Sequence, residues 1–143
     1  MTEFHETTVR VRYAETDQLG VVYHANYFVW FEVGRVELIR HLGISYKKME
    51  LEDDCHIVVA DVHCRYHHPA RYDQELRIRT RITEVQSRTI QFGYEIVEKE
   101  SGRLLTTGET TCVVCGRDGR PKTLPEKYRK VFGLSPARAP ERS

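Results

Sequence analysis

Residues 21–42 read VVYHANYFVWFEVGRVELIRHL, and apolar side chains recur in them at the three- and four-residue spacing of a helix. Those that can share or widen one side are Tyr27, Phe28, Trp30, Phe31, Val33, Leu38, Ile39 and Leu42. Asn26 is a candidate N-cap, and Gly43 predicts a left-handed stop after the last apolar residue. Gly34 costs about 1 kcal/mol of helix propensity relative to alanine, which predicts close packing against another backbone. A helix with so many aromatic residues is expected to be wrapped by a sheet.

The segments on either side of this helix show the two-residue alternation of half-buried strands. The predicted strands are residues 7–13, 57–66, 75–85, 89–97 and 104–115, and a polar connection separates the helix from the second strand. Ser101-Gly102 predicts a hairpin turn, and residues 126–132 predict one short helix. The order is therefore strand, long apolar helix, and then four antiparallel strands.

This order predicts an α+β architecture, in which a five-stranded antiparallel sheet is wrapped around one long central helix. Strands and helices do not alternate along the chain, which argues against a doubly wound parallel sheet. A chain of 143 residues fits one domain. We therefore expect a single domain over residues 1–134, followed by a flexible tail at residues 135–143.

Composition argues against several classes of partner. The 22 Lys and Arg residues against 21 Asp and Glu give a formal net charge of +1, so no global field favours nucleic acid or an anionic membrane surface. The first residues lack the basic start and apolar run of a signal peptide, and no stretch approaches the roughly 18 apolar residues of a membrane span. We expect a cytoplasmic protein with no nucleic-acid partner, no integral membrane segment and four free cysteines.

The chemistry is concentrated in residues 10–27, RVRYAETDQLGVVYHANY, which join the first strand to the helix start. They place a carboxylate, Asp17, and a flexible Gly20 before the helix. Free backbone N–H groups at a helix start favour negative charge. A carboxylate aimed at the same place can activate water or attack a carbonyl while the amides hold the oxyanion, which is acyl-transfer chemistry. An aspartate near a helix start is as often a cap, so spacing alone leaves both interpretations open.

The same run resembles the active-site motif of the 4-hydroxybenzoyl-CoA thioesterase family of the hotdog-fold superfamily, especially its YbgC-type acyl-CoA thioesterases. The motif consists of Arg10-Val11, Thr16-Asp17, Gly20-Val21-Val22-Tyr23 and Asn26-Tyr27, separated by four, two and two residues, and every fixed position is present. His24, the corner at residues 67–71 and the strand that carries Cys112 and Cys115 also resemble the family. The likeness covers about residues 7–130.

The resemblance implies a hotdog fold and hydrolysis of an acyl-CoA, or of an acyl carrier protein thioester, without a cofactor. It implies that Asp17 is the catalytic general base or nucleophile and that the backbone N–H at His24 polarises the carbonyl. Whether the His24 imidazole takes part stays open. The residues expected to surround the substrate or shape the pocket mouth are Tyr13, Thr16, Gly20, Val22, Tyr23 and Asn26. Family members pair their sheets edge to edge, which implies a homodimer or homotetramer.

Two other functions stay open for this sequence. The first is a hotdog dehydratase or hydratase, a branch whose catalytic carboxylate lies on the helix, where Glu32 and Glu37 are candidates. The second is a non-catalytic binder of acyl thioesters.

No metal site is predicted, because Cys112 and Cys115 lie three apart on a strand and point to opposite faces. Arg77, Arg79 and Arg81 are expected to form a solvated face opposite acidic side chains, and Arg65, Arg71, Arg88 and Arg117 are candidates for holding CoA phosphates.

Overall fold

The computed structural model describes residues 4–133. They form one five-stranded antiparallel sheet, in the order β1-β3-β4-β5-β2, with a long helix against it. The elements are β1 (His5–Arg10), α1 (Asn26–His41), α2 (Tyr46–Asp53), β2 (His56–Tyr66), β3 (Glu75–Val85), β4 (Thr89–Glu98), β5 (Leu104–Cys115) and α3 (Glu126–Gly133), with a 3-10 turn at Tyr13–Glu15. None of the helices within residues 4–133 is long and apolar enough to cross a membrane. The predicted α+β architecture is confirmed, while the predicted tail lies outside the described residues.

Phe31 connects the central helix to the middle of the sheet. Its side chain is fully buried, and its ring stacks on Tyr94 of β4 with 4.3 Å between the ring centroids. The ring also covers Gly108 of β5, where an added Cβ would lie 2.4 Å from Phe31 Cζ. A glycine at this point therefore lets the ring reach the sheet surface.

Gly34 marks a second close approach, between α1 and β3. A Cβ added to Gly34 would lie 2.2 Å from Thr80 Oγ1 and 2.9 Å from Ile78 Cγ2. The predicted close packing is confirmed, but the neighbours are side chains, so the expectation of a second backbone is wrong. The helix can approach β3 this closely because residue 34 has no side chain of its own.

The boundaries of the first strand and of the helix differ from the sequence-based expectation. Strand β1 ends at Arg10, and Tyr13 lies in the 3-10 turn. The N-cap of α1 is Ala25, which has no side-chain cap, whereas Asn26 is the first helical residue and its Nδ2 donates to the Glu15 carbonyl at 2.9 Å. The expected capping role of Asn26 is therefore wrong. Gly43 has φ of +86°, which confirms the predicted left-handed stop.

Strand β2 forms one edge of the sheet and contains a bulge that the alternation of its side chains did not predict. Val59 pairs with Cys112 and Asp61 pairs with Thr111, so Ala60 is the extra residue. The bulge reverses the alternation of side chains, so Val58 and Val62, four positions apart, lie on opposite faces of the sheet. Both are exposed, together with Val59 and Tyr66.

On β3, the arginine side chains lie on the face of the sheet that α1 does not cover; they are Arg77, Arg79 and Arg81. Arg79 Nε lies 3.1 Å from Glu6 Oε1 on β1, and its Nη1 pairs with Glu95 on β4. The expected acidic neighbours are therefore confirmed at Arg79. Arg81 instead stacks over Phe4, with 4.7 Å between its guanidinium carbon and the ring centroid.

His5 and His41 stack where β1 meets the end of α1. Their ring centroids lie 4.5 Å apart and the ring planes are 25° from parallel. Burial, and then the charge of His41, lower the pKa of His5 below 6.5, against a raising effect of Glu37 and Glu6. The fold therefore favours the neutral imidazole at this position.

We expect the Tm to fall as the pH is lowered from about 7 to about 5, and the variant His5→Gln to reduce that fall. The folded protein binds this proton less readily than the unfolded chain does. Protonation of His5 therefore destabilises the folded protein below the unfolded pKa of about 6.5, and this effect is absent well above that pH. Differential scanning fluorimetry across this range measures the slope. The control His63→Gln, which alters an exposed imidazole, should keep the wild-type slope, and an unchanged slope in His5→Gln would contradict the interpretation.

Candidate active site

The connection between β1 and α1 folds into a tight turn that presents Asp17. The backbone N–H of Asp17 donates to the Val21 carbonyl at 2.8 Å, and the N–H of Gly20 donates to the Asp17 carbonyl at 3.0 Å. Gly20 has φ of +78°, a conformation that a side chain would strain. Thr16 and Val22 form a β-bridge across the base of the turn.

One oxygen of the Asp17 carboxylate caps its own turn. Oδ1 accepts a hydrogen bond from the Leu19 N–H at 2.8 Å, and Oδ2 has no hydrogen-bond partner among residues 4–133. The cap of α1 is Ala25, so Asp17 is not the N-cap of that helix. The carboxylate is therefore held by one oxygen and presents the other.

The turn is fixed to the rest of the protein by Glu15 and by the corner that precedes β3. The Glu15 carbonyl accepts from the Tyr23 N–H at 2.8 Å and from Asn26 Nδ2 at 2.9 Å. The buried Glu15 carboxylate accepts from the Arg12 N–H at 2.7 Å, and the Val22 N–H donates to Ala70 at 2.9 Å. Nothing in the sequence pattern distinguished this buried acid from its exposed neighbours.

Two backbone donors at the start of α1 have no acceptor. The N–H groups of His24 and Ala25 donate to no atom of the chain between residues 4 and 133. The His24 carbonyl, by contrast, accepts from Tyr27 N–H at 3.4 Å and from the Tyr66 hydroxyl at 3.0 Å. Unused amides at a helix start attract negative charge.

Asp17 and His24 line the same pocket, whose volume is about 270 Å³. Its other walls are Val21 and Val22 of the turn, Tyr27 of α1, Tyr66 of β2 and the corner at residues 67–69. The residue that carries a free carboxylate oxygen and a residue that carries an unused helix-start amide therefore line one cavity. This is the pairing that acyl transfer requires.

A larger groove, of about 600 Å³, lies elsewhere and is less suited to this chemistry. Its lining includes Arg10, Lys99 and Glu75, and the two cations both pair with the Glu75 carboxylate. Arg10 and Lys99 are therefore already paired within the protein.

The other residues expected near the substrate occupy different positions. Val22 lines the pocket, whereas Tyr13, Thr16, Gly20, Tyr23 and Asn26 lie outside its wall and build or flank the turn. The Thr16 hydroxyl donates to the Tyr13 carbonyl at 2.7 Å, and the Tyr23 ring lies 4.4 Å from that of His24. Their contacts with substrate stay predictions. Glu32 and Glu37, the carboxylates that a dehydratase would use, do not line this pocket either.

Tyr66, His67 and His68 belong to the pocket wall although sequence reasoning had not placed them there. His67 Nε2 lies 3.1 Å from Thr107 Oγ1, and Arg103 Nη2 lies 2.9 Å from His68 Nδ1. The only sequence signal for this corner was its resemblance to the family, because the pocket joins segments more than 40 residues apart.

Comparison with known proteins agrees with this architecture. The family model of the thioesterase-like superfamily matches residues 11–132. The putative acyl-CoA thioesterase YneP of Bacillus subtilis is 36% identical over 124 residues, which cover 87% of this chain and 86% of the relative. The acyl-CoA thioester hydrolase YbgC of Escherichia coli is 37% identical over 126 residues, 87% of this chain and 92% of YbgC.

Solved structures show the same similarity. A hypothetical protein from Thermus thermophilus superimposes with a TM-score of 0.86 at 32% identity and covers 91% of this chain and 98% of its own. The DHNA-CoA thioesterase from Staphylococcus aureus superimposes with a TM-score of 0.84 at 31% identity, over 92% of this chain and 89% of its own.

Proposed function

Because this chain belongs to the thioesterase-like superfamily and has its hotdog fold, we propose that it is an acyl-CoA thioesterase, which converts an acyl-CoA to a free acid and CoA. The relatives YneP and YbgC, which carry that activity in their names, match most of the chain. The observation that carries the proposal is the pocket shared by the Asp17 carboxylate and the unused N–H of His24. No cofactor is needed for this hydrolysis.

In the proposed reaction, the thioester carbonyl oxygen accepts a hydrogen bond from the backbone N–H of His24. The helix start stabilises the negative charge that develops on this oxygen, an effect worth about 10²–10³ in rate per donor. Asp17 either removes a proton from the attacking water or attacks the carbonyl itself, forming an anhydride that water then hydrolyses. In both routes the C–S bond breaks and CoA leaves as a thiol.

Single-turnover hydrolysis in ¹⁸O-water separates the routes, since only the nucleophile route transfers label to Asp17.

The His24 imidazole lies beside the same cavity and is exposed. We propose that the backbone N–H of His24 makes the main contribution of this residue to catalysis. The imidazole is placed to protonate the leaving thiolate. The variant His24→Gln keeps the backbone donor and removes the imidazole. Its pH profile therefore separates the two contributions.

The experiment that tests the activity measures free thiol released from a panel of acyl-CoA substrates. A thioesterase releases one thiol for each acyl group, whereas a dehydratase or hydratase releases none. Tight binding of acyl-CoA without thiol release would leave only the non-catalytic interpretation and would overturn the proposal.

We expect Tyr66→Phe to lower kcat about tenfold and to leave KM within about twofold. The Tyr66 hydroxyl donates to the His24 carbonyl at 3.0 Å, and it is therefore a positioning residue for the helix-start peptide. The measurement is the initial rate of thiol release as a function of acyl-CoA concentration. The control is Tyr72→Phe, because the exposed Tyr72 hydroxyl makes no hydrogen bond within residues 4–133. A wild-type kcat in Tyr66→Phe would exclude the positioning role.

We further propose that two copies of the chain pair through the exposed edge strand β2. Its free edge and its exposed apolar side chains Val58 and Val59 are the kind of surface that a second strand covers. Antiparallel pairing of β2 with its copy would place both pockets at the interface, because Tyr66 belongs to the strand and to the pocket wall. Multi-angle light scattering tests this assembly, and a monomer at micromolar concentration would contradict it.

A further inference from the structure

A second feature of the inner sheet face is an apolar surface left uncovered between α1 and β2, which we call the inner cleft. On β2 it consists of Tyr66, which also lines the candidate active site, and Val62; these two residues are 46% and 37% exposed. Val62 pairs with Thr110 and Tyr66 pairs with Thr106, and both threonines are buried on the face that α1 covers. On the helix side the cleft is bordered by Phe28, whose side chain is 40% exposed.

The far end of the inner cleft is polar. Arg35 of α1 donates from Nη1 to the Tyr94 hydroxyl at 3.1 Å, and that hydroxyl lies 2.6 Å from Thr110 Oγ1. Tyr94 and Thr110 are each only 2% exposed. Burial raises the pKa of Tyr94 to about 12, so the phenol stays neutral and can accept from the guanidinium. A cation is therefore fixed at the base of an otherwise apolar surface.

Arg35 is a half-buried cation without an ion-pair partner in residues 4–133. No carboxylate there lies within 4.0 Å of its guanidinium, whereas Arg10, Arg40 and Arg79 each have at least one. Glu32 is a carboxylate with an electrostatic effect on Arg35, and it lies beyond ion-pair distance. A cation withdrawn from water without a counter-ion is costly, so an anionic partner would lower the free energy of this site.

The remaining donors of Arg35 are unused within residues 4–133 and are not fully enclosed. Its Nε and Nη2 make no hydrogen bond within the described chain, and neither is among the fully buried unpartnered atoms, which are Thr80 Oγ1, Arg81 Nε and Thr106 Oγ1. A guanidinium with two neighbouring free N–H groups matches the two oxygens of a carboxylate.

Spacing along α1 and along β2 relates the candidate active site to the level of Arg35, because Val62 pairs with Thr110, the residue beside Tyr94 and hence Arg35. Arg35 follows the first helical residue, Asn26, by nine positions, which is about 13 Å along the helix axis. Val62 precedes Tyr66 by four positions, which is about 13 Å along β2. An extended acyl group that starts at the pocket would therefore reach the level of Arg35 with its far end.

We propose that the inner cleft binds acyl groups that end in a carboxylate, and that Arg35, held by Tyr94 and Thr110, recognises that carboxylate. This inference rests on the proposed thioesterase activity and adds the substrate class, an ω-carboxyacyl thioester. Apolar side chains line the path, and the guanidinium neutralises the distal anion. A methyl-terminated chain of the same length leaves the cation without its partner and binds less well.

The experiment compares decanoyl-CoA with the CoA thioester of the corresponding ω-carboxy acid as substrates of wild type, Arg35→Met and Arg40→Met. We expect wild type to prefer the ω-carboxy substrate about tenfold in kcat/KM, and Arg35→Met to lose that preference. The control Arg40→Met changes an exposed arginine on the same helix and should keep the wild-type ratio. The ratio within each variant cancels any loss of folded enzyme. Absence of the preference in wild type, or its survival in Arg35→Met, would overturn the proposal.

Binding of the free acids separates this proposal from the proposed function. Calorimetry with sebacate and decanoate reports recognition of the distal carboxylate without any turnover. Tighter binding of sebacate to wild type, lost in Arg35→Met, would support the site even if no acyl-CoA were hydrolysed. Thiol release with equal binding of both acids would retain the thioesterase and overturn the role of Arg35. Dissociation of the dimer in Arg35→Met with an unchanged substrate ratio would likewise overturn it, and would assign the guanidinium to a second copy.

Discussion

The variant Asp17→Asn is expected to release CoA from acyl-CoA about a thousandfold more slowly than wild type. An amide can neither remove a proton from water nor attack the carbonyl, so both proposed routes lose their reactive group, and losses of about 10²–10⁴ are usual for such a change. The amide oxygen can still accept from the Leu19 N–H, so the turn should keep its shape. The initial rate of thiol release gives kcat and KM separately, and the loss is expected in kcat.

Asp118→Asn is the matched control for this prediction. Asp118 Oδ1 accepts from the Arg120 N–H at 2.9 Å, two residues on, as Asp17 Oδ1 accepts from the Leu19 N–H. The two substitutions therefore remove the same charge from the same kind of turn. Only the change at Asp17 should affect the rate, and equal activity in the two variants would show that Asp17 is structural.

The variant Phe31→Ala should lower the free energy of unfolding by about 3–5 kcal/mol. Its ring is fully buried between α1 and the sheet, stacks on Tyr94 and fills the space above Gly108. Alanine would leave a cavity between the two layers that neighbouring side chains, held by the sheet, can fill only in part. Equilibrium urea denaturation measures the change.

Gly108→Ala tests whether this loss comes from the contact between the helix and β5. In the wild-type background the added methyl would meet the Phe31 ring, with 2.4 Å between Cβ and Cζ, and should destabilise the protein. In the Phe31→Ala background the same methyl enters the cavity and should cost much less. A double-mutant cycle with no coupling between the two positions would contradict the contact.

Most of the fold could be predicted because its strands alternate clearly between apolar and polar residues. The predicted bounds of β3 and β5 agree with the structure, since each strand has one buried face. Helix α2 was missed, because its sequence YKKMELED is mostly charged and Met49 is its one buried residue. The bulge at Ala60 could not be predicted either, since an extra residue in an exposed edge strand leaves no interruption in the sequence pattern.

The candidate site was predicted only in the part that is local in sequence. Asp17 and His24 lie seven residues apart, and both line one pocket, as the predicted order of strand, turn and helix start indicated. Their roles in catalysis stay predictions. Tyr66 completes the wall from β2 and is fixed by a hydrogen bond across 42 residues, which no local pattern reports. Glu15 is buried because the turn folds over it, a tertiary effect that its sequence neighbours do not reveal.

The pairing of β1 with β3 determines the order in which the nascent protein can fold. His5 pairs with Thr80 and Arg10 with Glu75, so the first strand finds its neighbour only after about 70 more residues have been synthesised. At about 5–20 residues per second, that interval lasts roughly 4–14 s. During it, the apolar side of α1 has emerged but β3, which covers it, has not. The apolar side of α1 therefore stays exposed until β3 follows, and the turn that carries Asp17 can bond to Ala70 only after residue 70 has emerged.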